Sequence, residues 1–449
     1  MLWSPSTRRT VVAPNQRPQS LPMTTRLAVA SLVTASLLLA APATRAGGCC
    51  STWADLGSGL AGTNGVPLAS GTGTLSGGNV SLVGLNGALE NSITTLVVGF
   101  SQLNAPFKGG VLVPNPDLLL GPIPTSATGT AEISGLWPFG VPSETQIAFQ
   151  WWVPDAAGPA GLAASNGLLG TTPHEPVAGT FPADWVYGDC GEDPIQVHQY
   201  DESTWILRQS QCTNFEGPFM FLLFGEERAM LLDSGAGSIP IGNFVRGLVE
   251  QYEQEHGLDL DLLVTHTHGH GDHFQGDGQF IGQPDTTVVG VSQNAVQTFY
   301  GFQNWPNDIR TLDLGGRVLD VLAIPGHQAA SVAHYDRETG LLLTGDTLYP
   351  GFLFIFGASS QGMLAVFRDS IQRMVDFTAD KPVTWVLGTH VEMTSTPGVA
   401  YPYGTNFQPL ERVLELTRDH LVELLDALIA MGSTPVQDVH DDFIIDPVN

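Results

Sequence analysis

The segment Val264 to His273 carries four imidazoles and one carboxylate within ten residues: His266, His268, His270, Asp272 and His273. Imidazole nitrogen and carboxylate oxygen are the donors that Zn²⁺ and Fe²⁺ take up most readily. The loop directly follows the apolar run Leu262 to Val264, so a strand end would hold the donors on a fixed edge. A solvated His-rich tract is the competing explanation. Further donors downstream weigh against it, each after a short apolar run and a glycine. His327 ends Ile324-Pro325-Gly326-His327, Asp346 follows Leu341 to Gly345, and His390 follows Trp385 to Thr389. Upstream, Asp233 follows Met230-Leu231-Leu232 in the same strand-then-acid form. Each of these alone reads as a capped turn; their order along the chain is what a metal site needs.

Taken together, His268-x-His270-x-Asp272-His273, Gly326-His327, Gly345-Asp346-Thr347, Thr389-His390 and the strand ending in Asp233 resemble the metallo-β-lactamase-fold superfamily. The resemblance covers roughly residues 185–400. It implies five segments converging at one edge of an αββα sandwich, and two metal sites. His268, His270 and His327 would hold the first metal, Asp272, His273 and His390 the second, and Asp346 would bridge them. Asp233 would brace the ligand loop from a neighbouring strand end. The implied cofactor is a pair of divalent cations, zinc first, with iron or manganese as alternatives. His266 has no place in the pattern and is expected to hydrogen-bond nearby backbone, and nothing requires His334.

Three protein ligands per metal and a shared carboxylate leave room for a bridging water. Two cations lower the pKa of such a water toward about 7. The resulting hydroxide would attack a carbonyl, with Asp272 placed to orient it and relay its proton to the leaving group. The expected reaction is hydrolysis of a small ester-, lactone- or thioester-like substrate. A mononuclear iron oxygenase using only His268, His270 and His327 is the second reading, and an inactive surface-binding protein the third. The bridging Asp346 points away from true β-lactamases and toward glyoxalase-II-like and lactonase-like hydrolases. Glyoxalase II carries a Cys-Gly-Arg-type segment and basic residues that grip glutathione. Here the stretch Leu348 to Phe356 is apolar and uncharged, and the only lysines are Lys108 and Lys381. Leu348 to Phe356 reads as a pocket wall or lid. In it Tyr349 either donates to a substrate oxygen or packs in the core, and packing is favoured.

These donors must be positioned by a large frame. Residues 183–449 alternate apolar runs with helical stripes. Leu364, Phe367, Ile371, Met374 and Val375 form one stripe. Leu410, Val413, Leu414, Leu421, Leu424, Leu425 and Leu428 form another, with Gly432 as its C-cap. Residues 51–175 carry few charges and read as a separate all-β sandwich. Asn79 to Val83, Ile93 to Val98 and Ile147 to Val153 are its strands, the last with Ile147, Phe149, Trp151 and Val153 on one face. This part resembles a module appended to exported bacterial proteins. Thr171 to Pro182 would be a linker.

The net charge of −27, from 44 acids against 17 bases, repels nucleic acid and anionic lipid, which leaves a small molecule as the expected partner. Residues 1–46 read as an N-terminal extension and secretory signal. Arg26 precedes the apolar run Leu27 to Ala41, which breaks at Pro42 before Ala43 and Ala46. That run is too short to span a membrane. Met23 is an alternative start, and a twin-arginine role for Arg8-Arg9 or lipidation at Cys49 is a minor reading. The expected location is periplasmic, cell-surface or extracellular. Export makes a Cys190–Cys212 disulfide plausible; Cys49 and Cys50 are vicinal.

Overall fold

A computed structural model describes residues 52–138, 141–176, 178–358 and 362–448. The leader, its alternative start and Cys49-Cys50 lie outside them. In the first part of the chain, strands Trp53–Gly57, Gly167–Thr171, Gln146–Pro154, Ile93–Gly99 and Leu118–Pro124 lie side by side in that order. A smaller sheet of Leu68–Thr72, Val80–Asn86 and Ala131–Leu136 faces them. Between the two, Ala69, Val83 and Leu85 meet Leu96, Val98, Ile147, Phe149, Trp151 and Val153 in one apolar cluster. The alternation along Gln146–Pro154 therefore selects this core as expected. The opposite face is also covered, because Trp152 packs with Val97, Leu112 and Ala164, and Phe107 meets it edge-on at 5.0 Å.

The second part has four layers. One sheet runs Ile195–Gln199, Thr204–Gln209, Phe219–Phe224, Arg228–Leu232, Asp261–Thr265, Thr286–Val288. The other runs Ile309–Asp313, Val318–Ala323, Val332–Asp336, Leu341–Gly345, Trp385–Gly388, Glu415–Leu416. Their facing sides share Phe221, Leu223, Met230, Leu232 and Leu263 with Val321, Val332, Leu341, Leu343 and Leu387. Helix Ile241–His256 covers the outer face of the first sheet through Ile241, Val245 and Val249. Helices Met363–Phe377 and Arg418–Met431 cover the second. This is the αββα sandwich. Full burial of each such side chain is worth roughly 1.5–3 kcal/mol, so the inner cluster fixes how the two sheets meet. Arg317, only 2% exposed, crosses between them. Its Nη2 reaches Asp336 Oδ2 and Thr204 Oγ1, both at 2.6 Å.

The stripe Leu364, Phe367, Ile371, Met374 is the buried face of its helix. The later stripe is shorter than its periodicity suggests. Leu410 and Val413 are exposed and precede the helix, and Leu414 packs between the sheets. Thr417 and His420 form a capping box that starts the helix at Arg418. Gly432 follows its end with φ +67°. The stretch expected to be a loose linker is docked. His174 Nε2 donates to the Glu338 carbonyl at 2.8 Å, and Phe181 packs edge-on against Tyr200 and Trp385.

Candidate metal centre

Parallel neighbours Arg228–Leu232 and Asp261–Thr265 end on the same edge of the first sheet, and Leu341–Gly345 and Trp385–Gly388 end together on the second. Asp233 and the His268–His273 loop leave the first pair, and Asp346 and His390 leave the second. The loops approach closely enough to require glycine at 345. Gly345 has φ +56°, and a Cβ there would lie 2.7 Å from Thr267 Cβ. Asp233 itself adopts φ +68°, an uncommon backbone for a non-glycine residue.

The structure brings all seven predicted donors together as two groups of four that share Asp346. One is His268, His270, His327 and Asp346; the other is Asp272, His273, Asp346 and His390. Within each group the donor atoms lie within 4.8 Å of one another. Asp346 Oδ2 lies 3.6 Å from His268 Nε2 and 3.5 Å from His327 Nε2. Its Oδ1 lies 3.5 Å from His273 Nε2 and 3.3 Å from His390 Nε2. One carboxylate thus turns one oxygen toward each group. Asp272 Oδ2 completes the second, 2.9 Å from His273 Nε2 and 3.2 Å from His390 Nε2.

Partners behind the rings set their tautomers. His327 Nδ1 donates to the Phe354 carbonyl and His390 Nδ1 to the Glu216 carbonyl, both at 2.9 Å. His273 Nδ1 donates to Asp233 Oδ2 at 2.9 Å. Asp233 also accepts from Thr267 N at 2.7 Å and Thr267 Oγ1 at 2.9 Å, which leaves the Thr267 hydroxyl to accept from His268 Nδ1 at 3.1 Å. Four imidazoles therefore turn Nε2 inward. His268 Nε2 and His327 Nε2 point at His270 Nδ1 from 3.0 and 2.9 Å, and the buried His273 Nε2 makes no well-aligned hydrogen bond, its near neighbour being the Asp272 carboxylate at 2.9 Å. Converging lone pairs of this kind need a cation, and the residues present fit a divalent metal.

The electrostatics agree. Burial holds the His268 pKa well below its usual value, with His273 adding to the effect, and burial lowers His327 to about 4. Both are neutral, as ligands must be. Burial opposes the charged form of His273 and His390, yet the surrounding carboxylates raise both well above the ordinary histidine range. Asp346 is held well below the carboxylate range against its own burial, chiefly by His390 and His273. The second group is thus a strongly negative field that attracts positive charge. Thr389 Oγ1 donates to Asp346 Oδ1 and helps fix its rotation.

One sequence expectation changes, and two open readings close. His266 bonds a side chain and not backbone: its Nε2 lies 2.9 Å from Asp277 Oδ1, which also accepts from Ser234 Oγ at 2.8 Å. Tyr349 packs in the core, the favoured one of its two readings, and is not a pocket donor. Its side chain is buried, and its hydroxyl donates to the Phe352 carbonyl and lies 3.2 Å from Glu392 Oε2. His334 bonds the Tyr300 hydroxyl at 2.9 Å, which in turn meets Thr265 Oγ1 at 2.7 Å. The structure adds Glu216, which sequence reasoning missed. Its carbonyl orients His390, while burial and the adjacent Asp272 raise its carboxyl to about 7. Nothing in Asn214-Phe215-Glu216-Gly217 marks it, because its partners lie far along the chain. Cys190 and Cys212 form a disulfide with Cα atoms 5.4 Å apart, which ties the loop bearing Glu216 to the preceding segment.

Residues 213–405 match the family described as metallo-beta-lactamase superfamily. A hydroxyacylglutathione hydrolase of Aeromonas salmonicida is 27% identical over 167 residues, 37% of this chain and 59% of that one. An acyl-coenzyme A thioesterase of Homo sapiens is 28% identical over 169 residues, 30% of this chain and 59% of that one. The match spans about three fifths of the length of these curated relatives. A solved structure of a metallo-beta-lactamase from Pontibacter korlensis aligns over 52% of this chain and 99% of that one, at 18% identity and a TM-score of 0.35.

Proposed function

We infer that this chain, a member of the metallo-β-lactamase superfamily through residues 213–405, is an exported metal-dependent hydrolase of small ester-, lactone- or thioester-like substrates. The observation that carries the reading is Asp346, with one oxygen turned toward each group of imidazoles. Two divalent cations, zinc first among them, would supply Lewis acidity toward the carbonyl and an activated water at neutral pH.

The chain's own residues do the rest. His268, His270 and His327 would hold one cation and Asp272, His273 and His390 the other, with Asp346 common to both. Asp233 keeps His273 and the His268 loop in place through Thr267. Asp272 lies at the open side of the second group and stays ionised: against its own burial, His273 and His390 hold its pKa well below the carboxylate range. From there it can orient the attacking water and carry a proton to the departing group. A mononuclear oxygenase would need only the first group, and the complete second group weighs against it. Export rests on the leader-like sequence, with the Cys190–Cys212 bridge in its favour. No helix among the described residues is long and apolar enough to cross a membrane.

The relatives named for glutathione and coenzyme A thioesters support a thioester-like scissile bond. They do not carry over an anionic carrier, because the stretch after Asp346 is uncharged and the acids Glu216, Glu392 and Asp272 gather beside the site. The test is the rate of the metal-loaded protein on S-lactoylglutathione against uncharged esters and lactones. We expect the uncharged substrates to be preferred at least tenfold in kcat/KM. Preference for the glutathione thioester would overturn this part of the reading.

A further inference from the structure

Strand Phe352–Phe356 begins six residues after Asp346 and pairs in parallel with Ile444–Val448. Its inward side chains, Leu353 and Ile355, are fully buried beneath it. The outward side chains are three phenylalanines in a row. Phe352 and Phe354 lie 5.8 Å apart between centroids with planes at 18°, and Phe354 and Phe356 repeat that spacing at 23°. A strand covered on both sides would bury this row; here Phe356 is 44% exposed.

The row runs into the metal centre. Phe356 meets the rings of His270 at 5.7 Å and His327 at 5.5 Å, and the Phe354 carbonyl accepts from His327 Nδ1. Tyr403, 68% exposed, faces Phe354 at 6.2 Å and Phe215 at 5.4 Å. Phe215 adjoins Glu216, whose carbonyl orients His390. Aromatic rings thus flank the donors of both groups. The charged neighbours that act on Tyr403 are all acids: Glu216, Glu392 and Asp272.

We propose that Phe352, Phe354 and Phe356, with Tyr403 and Phe215 opposite, form the subsite for an apolar, uncharged acyl chain. The proposal rests on the hydrolase reading and gives it a substrate class: esters or lactones of hydrocarbon-chain acids. The parallel row offers ring faces along a line that starts with Phe356 beside His270 and His327, which suits an extended chain whose carbonyl would lie at the metal centre. Its acidic surroundings disfavour anionic carriers. Apolar rings that are partly or wholly exposed beside polar donors are the usual form of a small-molecule site.

The test uses the full metal-loaded protein and p-nitrophenyl esters from acetate to octanoate. Burying each added methylene should raise kcat/KM about two- to fourfold until the row is filled. In Phe354→Ala and, separately, the more exposed Phe356→Ser, the octanoate-to-acetate ratio should fall at least tenfold. Calorimetry with 2-decanone gives a readout independent of turnover, and its affinity should weaken by a similar factor in both variants. Acetate hydrolysis with a flat chain-length profile overturns the subsite and leaves the hydrolase reading standing. Binding of 2-decanone that the variants weaken, with no ester or lactone cleaved, does the reverse. Faster cleavage of an acylcholine than of the isosteric 3,3-dimethylbutyl ester would assign the rings to a cation and overturn the proposal.

Discussion

In the function proposed, Asp346 balances two cations and sets their spacing, since its two oxygens face different imidazole groups at 3.3–3.6 Å. An amide in its place keeps the shape and loses the charge. Asp346→Asn is therefore expected to leave the fold intact and lower turnover by about tenfold or more, because the six other donors still bind metal more loosely. Turnover and metal content measured on the same folded preparation check this, and unchanged rates in a metal-loaded variant would contradict the shared role. The seven donors are legible in the amino-acid sequence because each follows an apolar run in a recognisable order. Glu216 is not. A backbone carbonyl that orients His390 and a carboxyl beside Asp272 depend on which loop passes by, and one sequence does not record that.

At the scale of elements, His334 sits within strand Val332–Asp336, fully buried against Tyr300 of helix Gln293–Tyr300. Burial lowers its pKa to about 3. Between about 3 and the ordinary value near 6.5 the unfolded chain binds a proton there and the folded chain does not. The group thus adds stability that is fully present above about pH 6.5 and is lost as pH falls through that window, with a slope of at most about 1.4 kcal/mol per pH unit. Denaturant unfolding from pH 4 to 8 should show a steeper gain with pH in the wild type than in His334→Gln. The ligand histidines are common to both proteins and cancel in the difference. Parallel slopes would mean that His334 is solvated in the folded protein. Elements themselves are legible in kind and less so in extent. The buried stripe Leu364 to Met374 follows its periodicity, whereas Leu410 and Val413 match helical spacing by chance. What sets the start at Arg418 is the local Thr417–His420 cap, a side-chain bond that periodicity does not register.

For the whole molecule, the first 120 or so described residues and the metal-bearing part build separate apolar clusters, with Trp151 and Phe149 in one and Phe221 and Leu343 in another. We expect the metal-bearing part to fold and hydrolyse small substrates without the sandwich. The break belongs before His174, because His174 and Phe181 dock on the later sheets. A protein starting at Thr172 should match the full chain in metal content and in kcat/KM within about threefold. If it is soluble and metal-loaded but inactive, the sandwich contributes to the site. The low charge and turn-rich alternation of residues 51–175 make a β-sandwich legible, and the Pro- and Gly-containing stretch after it reads as a linker. That stretch is docked instead, through the His174 and Phe181 side chains and the Thr180 backbone, which bonds Tyr200 and His198. The central claim is that seven donors sharing Asp346 hold two cations for hydrolysis, and elemental analysis of the full chain purified without added metal tests it most directly. Close to two equivalents of a divalent transition metal per chain, with ester or lactone hydrolysis lost on chelation and restored by zinc, is the predicted result; one equivalent of iron with no zinc, and no hydrolysis after reconstitution, would contradict it.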